Sequence, residues 1–259
     1  MTGTGLLERR PRRRRLVNGQ RPGWMAYGFL TAVMLGSMFP IYWSFLIGSG
    51  DASTINEQDI VWWPGGNFLT NAAAVLESDS VNFWRAIGNS ILVSTVVSAS
   101  VVLFSTLAGY TFAKLRFRGR DGLLIFVIAT MAVPTQLGVV PLFIAMSQLQ
   151  LAGTLWAVIL PAVVSAFGVF WMTQYLAQAL PYELIEAARV DGASHYVIFR
   201  KMILPLSVPA MAAFAIFQFL WVWNDLLVAL TFAGGTPDVA PITAYLANIV
   251  GSYGAKTHL

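Results

Sequence analysis

Five long apolar stretches constrain this chain more than any other feature of its sequence. About 20 residues of α-helix cross a hydrocarbon core about 30 Å thick, and residues 24–47, 87–113, 122–147, 154–176 and 206–232 all reach that length. Only 11% of the 259 residues are charged, whereas a soluble domain carries about 25%. We therefore predict an all-α, polytopic transmembrane helical bundle and exclude a soluble enzyme.

The basic residues indicate how the bundle is oriented. Fourteen of the 16 Lys and Arg residues lie in the arm before residue 24, in residues 114–120 or in residues 177–205. The segment over residues 48–86 holds five acidic residues and a single arginine, Arg85. Because cytoplasmic loops are enriched in Lys and Arg, we expect a multi-pass protein of the cell membrane with a cytoplasmic N-terminus.

The same pattern divides the chain into four parts. We expect a basic cytoplasmic arm over residues 1–23, a first transmembrane helix over residues 24–47, an extracytoplasmic loop over residues 48–86 and a core domain over residues 87–259. The arm holds seven arginines just ahead of an apolar run. That position favours anionic membrane lipid as its partner rather than nucleic acid.

The sequence offers little catalytic chemistry. It has no Cys, which excludes disulfides and thiolate ligands, and it has no G-x-x-x-x-G-K-[ST] loop that would hold ATP. His195 and His258 have no partner at a metal-ligand spacing, and the spans contain no pair of ionisable groups suited to acid–base work. We expect no catalytic residue, no metal and no cofactor in this chain, and a membrane-embedded enzyme is disfavoured.

The segment over residues 180–205, LPYELIEAARVDGASHYVIFRKMILP, is too polar to span a membrane and too regular to be a mere linker. Pro181 and the acids that follow it suit the first turn of a helix, and Gly192 can end that helix in the left-handed conformation. Ser194 can cap a second helix over residues 195–203. We predict an elbow of two short helices joined at a glycine, followed by the fifth span.

Such an elbow can serve as a docking element. Ala187 and Ala188 have small side chains, so a groove in a partner can close over that face of the helix. Glu186 offers the partner a carboxylate. The residues alone leave one alternative open, a pair of helices that lies on the bilayer surface.

The spacing of these residues resembles the EAA loop of ABC importer permeases. The elbow carries Glu186-Ala187-Ala188, three residues, Gly192, nine residues, and then Met202-Ile203-Leu204-Pro205, with Met202 where Ile is usual. The chain also resembles the carbohydrate permeases of that family at Asn89-Ser90, Gly109-Tyr110, residues 115–120, Pro134-Thr135-Gln136, Pro141-Leu142, Leu160-Pro161 and Trp223-Asn224-Asp225. Together these matches resemble the maltose-type, second permease subunit of importers for di- and oligosaccharides.

The resemblance implies a function and a set of partners. It implies a type I permease that forms half of a sugar path and couples to an ATPase through Glu186, Ala187, Ala188, Asp191 and Gly192. The implied partners are a sister permease, a pair of ATPase subunits that hold ATP and Mg²⁺, and an extracytoplasmic solute-binding protein. The rival is an ion-driven secondary transporter, which predicts midplane acids and inverted repeats; the sequence has a single acid near one span end and no clear repeat.

Four polar residues in apolar stretches are candidates for lining the translocation path: Gln136, Gln218, Asn224 and Asp225. Polar groups inside a membrane need hydrogen-bond partners, which are either neighbouring helices or sugar hydroxyls. Counting along the fifth span places Asp225 near its outer end. The residues alone favour packing against neighbouring helices for Gln136 and Gln218, and they leave an interfacial or packing role open for Asp225.

One region departs from the resemblance. Members of the family have a further span after the last outer loop, whereas residues 234–259 contain two prolines, an aspartate, a lysine and His258, and no run of 18 apolar residues. We therefore expect five spans, with the sixth span of the family absent.

Single cysteines test the orientation, because the chain has none of its own. Ser53→Cys, in the acidic segment, should react with a membrane-impermeant maleimide on intact cells, since the basic segments hold the opposite side in the cytoplasm. Ser194→Cys, in the elbow, is the control and should react only after permeabilisation. Labelling of Ser194→Cys but not Ser53→Cys on intact cells would overturn the orientation.

Overall fold

The computed structural model describes residues 23–51, 62–77, 82–233, 235–236 and 238–256, with the backbone alone for residues 251–256. Within these residues every regular element is helical, so the all-α fold predicted from the sequence is confirmed. The arginine-rich arm before Gly23, Ser53 and His258 lie outside the described residues.

The chain forms two compact units, and the first ends at Ala74. It contains α1 (Trp24–Ser49) and the start of α2 (Phe68–Leu76). At the end of α1, Ser49 Oγ accepts a hydrogen bond from Gly65 N at 2.9 Å, and Asn71 Nδ2 donates to the carbonyls on either side of Ser49 at 3.1 and 3.0 Å. A Cβ at Gly65 would collide with the Ser49 carbonyl, so this turn requires glycine.

The second unit begins at Val75 and holds the remaining helices. In chain order these are α3 (Phe83–Lys114), α4 (Arg120–Thr130), α5 (Val139–Gln148), α6 (Leu155–Ile159), α7 (Ala166–Ala179), α8 (Tyr182–Val190), α9 (His195–Ile198), α10 (Leu204–Trp223), α11 (Leu226–Ala233) and α12 (Ile242–Lys256). The 3-10 turn Thr135–Gly138 precedes α5, the 3-10 turn Leu160–Ala162 follows α6, and the π-helical turn Phe199–Ile203 joins α9 to α10.

Among the described residues, three helices are long and apolar enough to cross a bilayer: α1, α3 and the continuous helix His195–Trp223. Two bent pairs raise the number to five if each pair counts as one span. The first pair bends by 85° between α4 and the turn before α5, and the second bends by 41° between α6 and α7. Pro134 lies at the first bend, where it cannot donate a helical hydrogen bond. The predicted stretches thus correspond to three helices and two bent pairs.

The fifth span differs from its predicted extent of residues 206–232. Helix α10 ends at Trp223, and α11 begins three residues later. Asn224 Nδ2 donates to the Leu220 carbonyl at 2.7 Å, and Asp225 Oδ1 accepts from Val228 N at 3.1 Å, as a helix cap does. The fifth span is present but ends at Trp223 rather than at residue 232, because two short polar side chains end one helix and start the next.

Helix α12 occupies the region where the sequence predicts no further span. Its 15 residues rise about 22 Å. The Ile242 N–H, at its start, donates to Ser90 Oγ of α3 at 2.8 Å, and Asn89 Nδ2 donates to the carbonyls of Asp238 and Ala240 at 3.1 and 3.4 Å. The residue before α12 is a proline and has no side-chain acceptor, so Ser90 supplies the cap from another helix.

The second unit is centred on α3, which packs against α7 and α10. A Cβ at Gly109 of α3 would lie 2.7 Å from Met172 Cβ and 2.8 Å from the Met172 carbonyl carbon. A Cβ at Gly168 of α7 would collide with the Ser105 side chain and with the ring of Phe214. Small residues therefore let these helices approach closely, as is typical of helix contacts in membranes.

Gly109→Ala tests this contact. The added methyl group must push the backbone at Met172 away, so we expect a loss of about 1–3 kcal/mol in the free energy of unfolding and a lower Tm in detergent. Gly88→Ala on the same helix is the matched control, because nothing lies within 4 Å of a Cβ there, and replacing a helical glycine by alanine is neutral to stabilising. Equal Tm values for the two variants would contradict the close packing.

Candidate functional site

The elbow over residues 180–205 forms as the sequence predicts, as two helices joined at a glycine. Helix α8 ends where Gly192 takes a φ of +83°. The Gly192 N–H donates to the Arg189 carbonyl at 3.0 Å, and the Ala193 N–H donates to the Ala188 carbonyl at 2.9 Å. This pair of bonds is the Schellman motif, in which glycine is preferred because the left-handed conformation costs it nothing. Ser194 then caps the first turn of α9.

The second helix of the elbow is continuous with the fifth span. Helix α9, the π-helical turn and α10 form one unbroken helix, His195–Trp223. Within the turn, the Leu204 N–H donates to the Phe199 carbonyl, five residues back. Such π-helical turns inside α-helices are frequent at functional sites. The elbow therefore enters the membrane-spanning part without a flexible connection on this side.

One side of the elbow is buried against the bundle. Ile185 of α8, together with Ile198 and Ile203 after it, is no more than 2% exposed. These isoleucines pack with Tyr110 of α3 and with Leu180 at the end of α7. The elbow is therefore anchored by apolar contacts to two other helices, which does not agree with a helix pair that merely lies on the bilayer surface.

The predicted coupling residues lie mostly on the opposite side. The structure leaves four of them exposed: Glu186, Ala187, Asp191 and Gly192. The fifth, Ala188, is half-buried and packs with the isoleucines. Val190, which the sequence did not single out, is 88% exposed on the same helix. Apolar side chains beside carboxylates on a projecting surface are typical of a protein-contact face.

Two cations at the end of α3 reach the elbow, and sequence reasoning missed both contacts. Lys114 Nζ donates to the Leu180 carbonyl at 2.5 Å, and the Arg116 guanidinium carbon lies 4.8 Å from the centre of the Tyr182 ring. From the sequence, both residues are interpreted as positive charges that orient the bundle, and Arg116 also as part of the resemblance over residues 115–120. No local spacing connects residues 66 positions apart, so only the fold could show the contacts.

His195 also has a neighbour that the sequence did not indicate. Its Nδ1 lies 3.3 Å from the hydroxyl of Tyr110, although its ring is exposed. Among the described residues, no group of three or more His, Cys, Asp or Glu side chains lies close enough together to hold a metal ion.

The candidate path residues fall into two places. Gln218, Asn224 and Asp225 lie in or just after the last two turns of α10, whereas Gln136 lies in the 3-10 turn at the 85° bend between α4 and α5. Asn224 and Asp225 use their side chains to shape the helix break. Gln136 is exposed and Gln218 half-buried.

Comparison with known proteins identifies the family. The family model described as the inner membrane component of binding-protein-dependent transport systems matches residues 101–253, more than half of the chain. The chain belongs to this family. The resemblance to ABC importer permeases inferred from the elbow motif is thereby confirmed, as is a multi-pass membrane protein.

Two relatives and one solved structure show the extent of the similarity. The osmoprotective compounds uptake permease protein GgtD of Synechocystis sp. is 42% identical over 224 residues, 85% of this chain and 74% of that protein. The alpha-glucoside transport system permease protein AglG of Rhizobium meliloti is 39% identical over 201 residues, 73% of this chain and 50% of that protein. This chain thus matches about half the length of AglG.

The solved structure is a bacterial ABC transporter involved in the import of the acidic polysaccharide alginate. One of its chains matches with a TM-score of 0.72 and 24% sequence identity, over 88% of this chain and 82% of that chain. At this identity the likeness establishes the fold alone.

Proposed function

We propose that this chain is the permease subunit of an ATP-driven importer for sugars, with di- and oligosaccharides as the expected solutes. The observation that carries the proposal is the elbow, which is anchored by buried isoleucines on one side and presents Glu186 and Val190 on the other. The class of solute is supported by the relative named for alpha-glucosides. A family defined by binding-protein-dependent transport disfavours the ion-driven alternative.

In this proposal the chain has no chemistry of its own. ATP and Mg²⁺ are held by a pair of separate ATPase subunits, and the exposed face of α8 lies against one of them. Closure of the ATPase pair shifts the bundle between two arrangements, which open the path to opposite sides of the membrane. The continuous helix His195–Trp223 supports this role, because it joins the elbow to the fifth span without a break.

The surface of the second unit indicates where the other partner subunits bind. Large apolar side chains are exposed along α4 and α10, among them Ile125, Phe126 and Ile216, and in a membrane they contact lipid or another helical subunit. We assign part of this surface to a sister permease, which completes the path. An extracytoplasmic binding protein delivers the solute on the side opposite the elbow, since the elbow and the N-terminus share the cytoplasmic side by their charge.

We propose that the path passes the bend at Gln136 and the end of α10 near Gln218, Asn224 and Asp225. A non-helical backbone at membrane depth is tolerated only where protein buries it or where it lines a water-filled cavity. The 85° bend before α5 interrupts the helix beside the exposed amide of Gln136, which supports this proposal. In this proposal the amides of Gln136, Gln218 and Asn224 and the carboxylate of Asp225 exchange water for sugar hydroxyls.

Glu186→Ala tests the coupling role. Loss of a carboxylate from an interface leaves its basic partner unpaired, at a cost of about 2–5 kcal/mol, so ATPase binding and solute uptake should fall by roughly 30-fold or more. Gly192→Pro should have the same effect, because proline cannot adopt a positive φ. Both should remain in the membrane.

Arg200→Ala is the control, because Arg200 is an exposed charged residue of the same elbow but outside the predicted coupling residues. The measurement is uptake of the solute that the partner binding protein retains, together with stimulation of ATP hydrolysis in the assembled complex. Wild-type uptake by Glu186→Ala would refute the coupling role.

A further inference from the structure

Helix α8 is joined to α7 by two residues with extended backbone. Leu180 has φ −120° and ψ 110°, and Pro181 has φ −58° and ψ 142°. Pro181 has no N–H and therefore cannot continue the hydrogen bonds of α7. The backbone alone leaves the angle between α7 and α8 open to change, so side chains must fix it if the elbow is to be rigid on this side.

Lys114 holds the α7 side of this junction. It is the last residue of α3 and only 6% exposed. Its ammonium group donates to the Leu180 carbonyl at 2.5 Å and to the Ala177 carbonyl at 3.2 Å. These carbonyls lie at the C-terminal end of α7, where the helix lacks internal donors and favours a cation. Within the described chain Lys114 forms no salt bridge, so its charge is balanced by the carbonyls at the end of α7 and, at longer range, by the Glu183 carboxylate of α8.

Arg116 holds the α8 side. Its guanidinium carbon lies 4.8 Å from the centre of the ring of Tyr182, the first residue of α8, which is a cation–π contact. Lys114 and Arg116 are two residues apart in the chain. The end of α3 therefore contacts the residues on both sides of Pro181. Arg118, the next arginine, is exposed and forms no such contact within the described residues.

We propose that Lys114 and Arg116 are positioning residues that fix the elbow to the end of α3. The proposal rests on the function proposed above. With both contacts in place, a displacement of α8 turns α3 and α7 together with it. Without them only the apolar contacts of Ile185 with Tyr110 and Leu180 hold α8, so α8 can turn about the junction and part of the displacement is lost before it reaches the spans.

The proposal is tested by the distance between α8 and α3 in the assembled importer. Spin labels are placed at Arg189→Cys, near the end of α8, and at Leu92→Cys, an exposed position on α3. Pulsed electron spin resonance then measures the distance distribution in vesicles, without nucleotide and after trapping with MgATP and vanadate. The backgrounds are wild type, Lys114→Met, Lys114→Arg, Arg116→Gln and the matched control Arg118→Gln.

We expect one narrow distance in wild type and in Arg118→Gln, unchanged by trapping. In Lys114→Met and Arg116→Gln the distance distribution should lose its single narrow peak, and the distances should shift on trapping. In Lys114→Arg the single narrow peak should be restored. If the Lys114→Met protein does not assemble, the distances in Arg116→Gln test the proposal instead. The Arg116 side chain is exposed, so its replacement should not prevent assembly. The proposal is overturned if the neutral variants keep the narrow peak in both states, or if the wild-type distance changes on trapping.

Failure of the proposed function would look different. In that case the wild-type chain would not retain the ATPase subunits on purification, and no vanadate-trapped state would form. The distributions without nucleotide would still decide whether Lys114 and Arg116 hold the junction.

Discussion

The close packing of α3 on α7 is the constraint on which the rest of the second unit depends. Helices in a bilayer gain little from the hydrophobic effect and associate through van der Waals contact. Gly109 and Gly168 permit that contact, because a Cβ at Gly109 would meet Met172 of α7 and a Cβ at Gly168 would meet Ser105 of α3. Tyr110 follows Gly109 directly and joins the apolar cluster that receives the elbow. Lys114, one turn later, reaches the end of α7, so both contacts need this spacing between the helices.

The two sides of the elbow explain how one segment can be anchored to the bundle and still present a surface to a partner. Ile185 and Ile198 face the bundle and are buried, whereas Glu186 and Val190 face away from it. A segment anchored only by polar contacts would exchange them for water, but the apolar cluster cannot be replaced in that way. The apolar cluster, together with the contacts of Lys114 and Arg116, sets the orientation of the exposed face relative to α3 and α7.

Local features were predictable from the sequence, and contacts between distant residues were not. The end of α8 at Gly192 and the cap at Ser194 follow from backbone preferences that act within a few residues. The break after Trp223 was missed because Asn224 and Asp225 were weighed as path or packing groups, although short polar side chains also start and end helices. The contacts of Lys114 with Leu180 and of Ser90 with Ile242 join residues 66 and 152 positions apart, and no periodic pattern signals them.

The central claim is that the exposed face of α8 contacts a separate ATPase, and site-specific photo-crosslinking tests it most directly. A photoreactive benzoylphenylalanine in place of Val190 should link this chain to an ATPase subunit in membranes of cells that express the whole importer. The same group in place of Ile216, exposed on α10, should link to lipid or to a sister permease instead. An ATPase adduct from position 216 with none from position 190 would contradict the account.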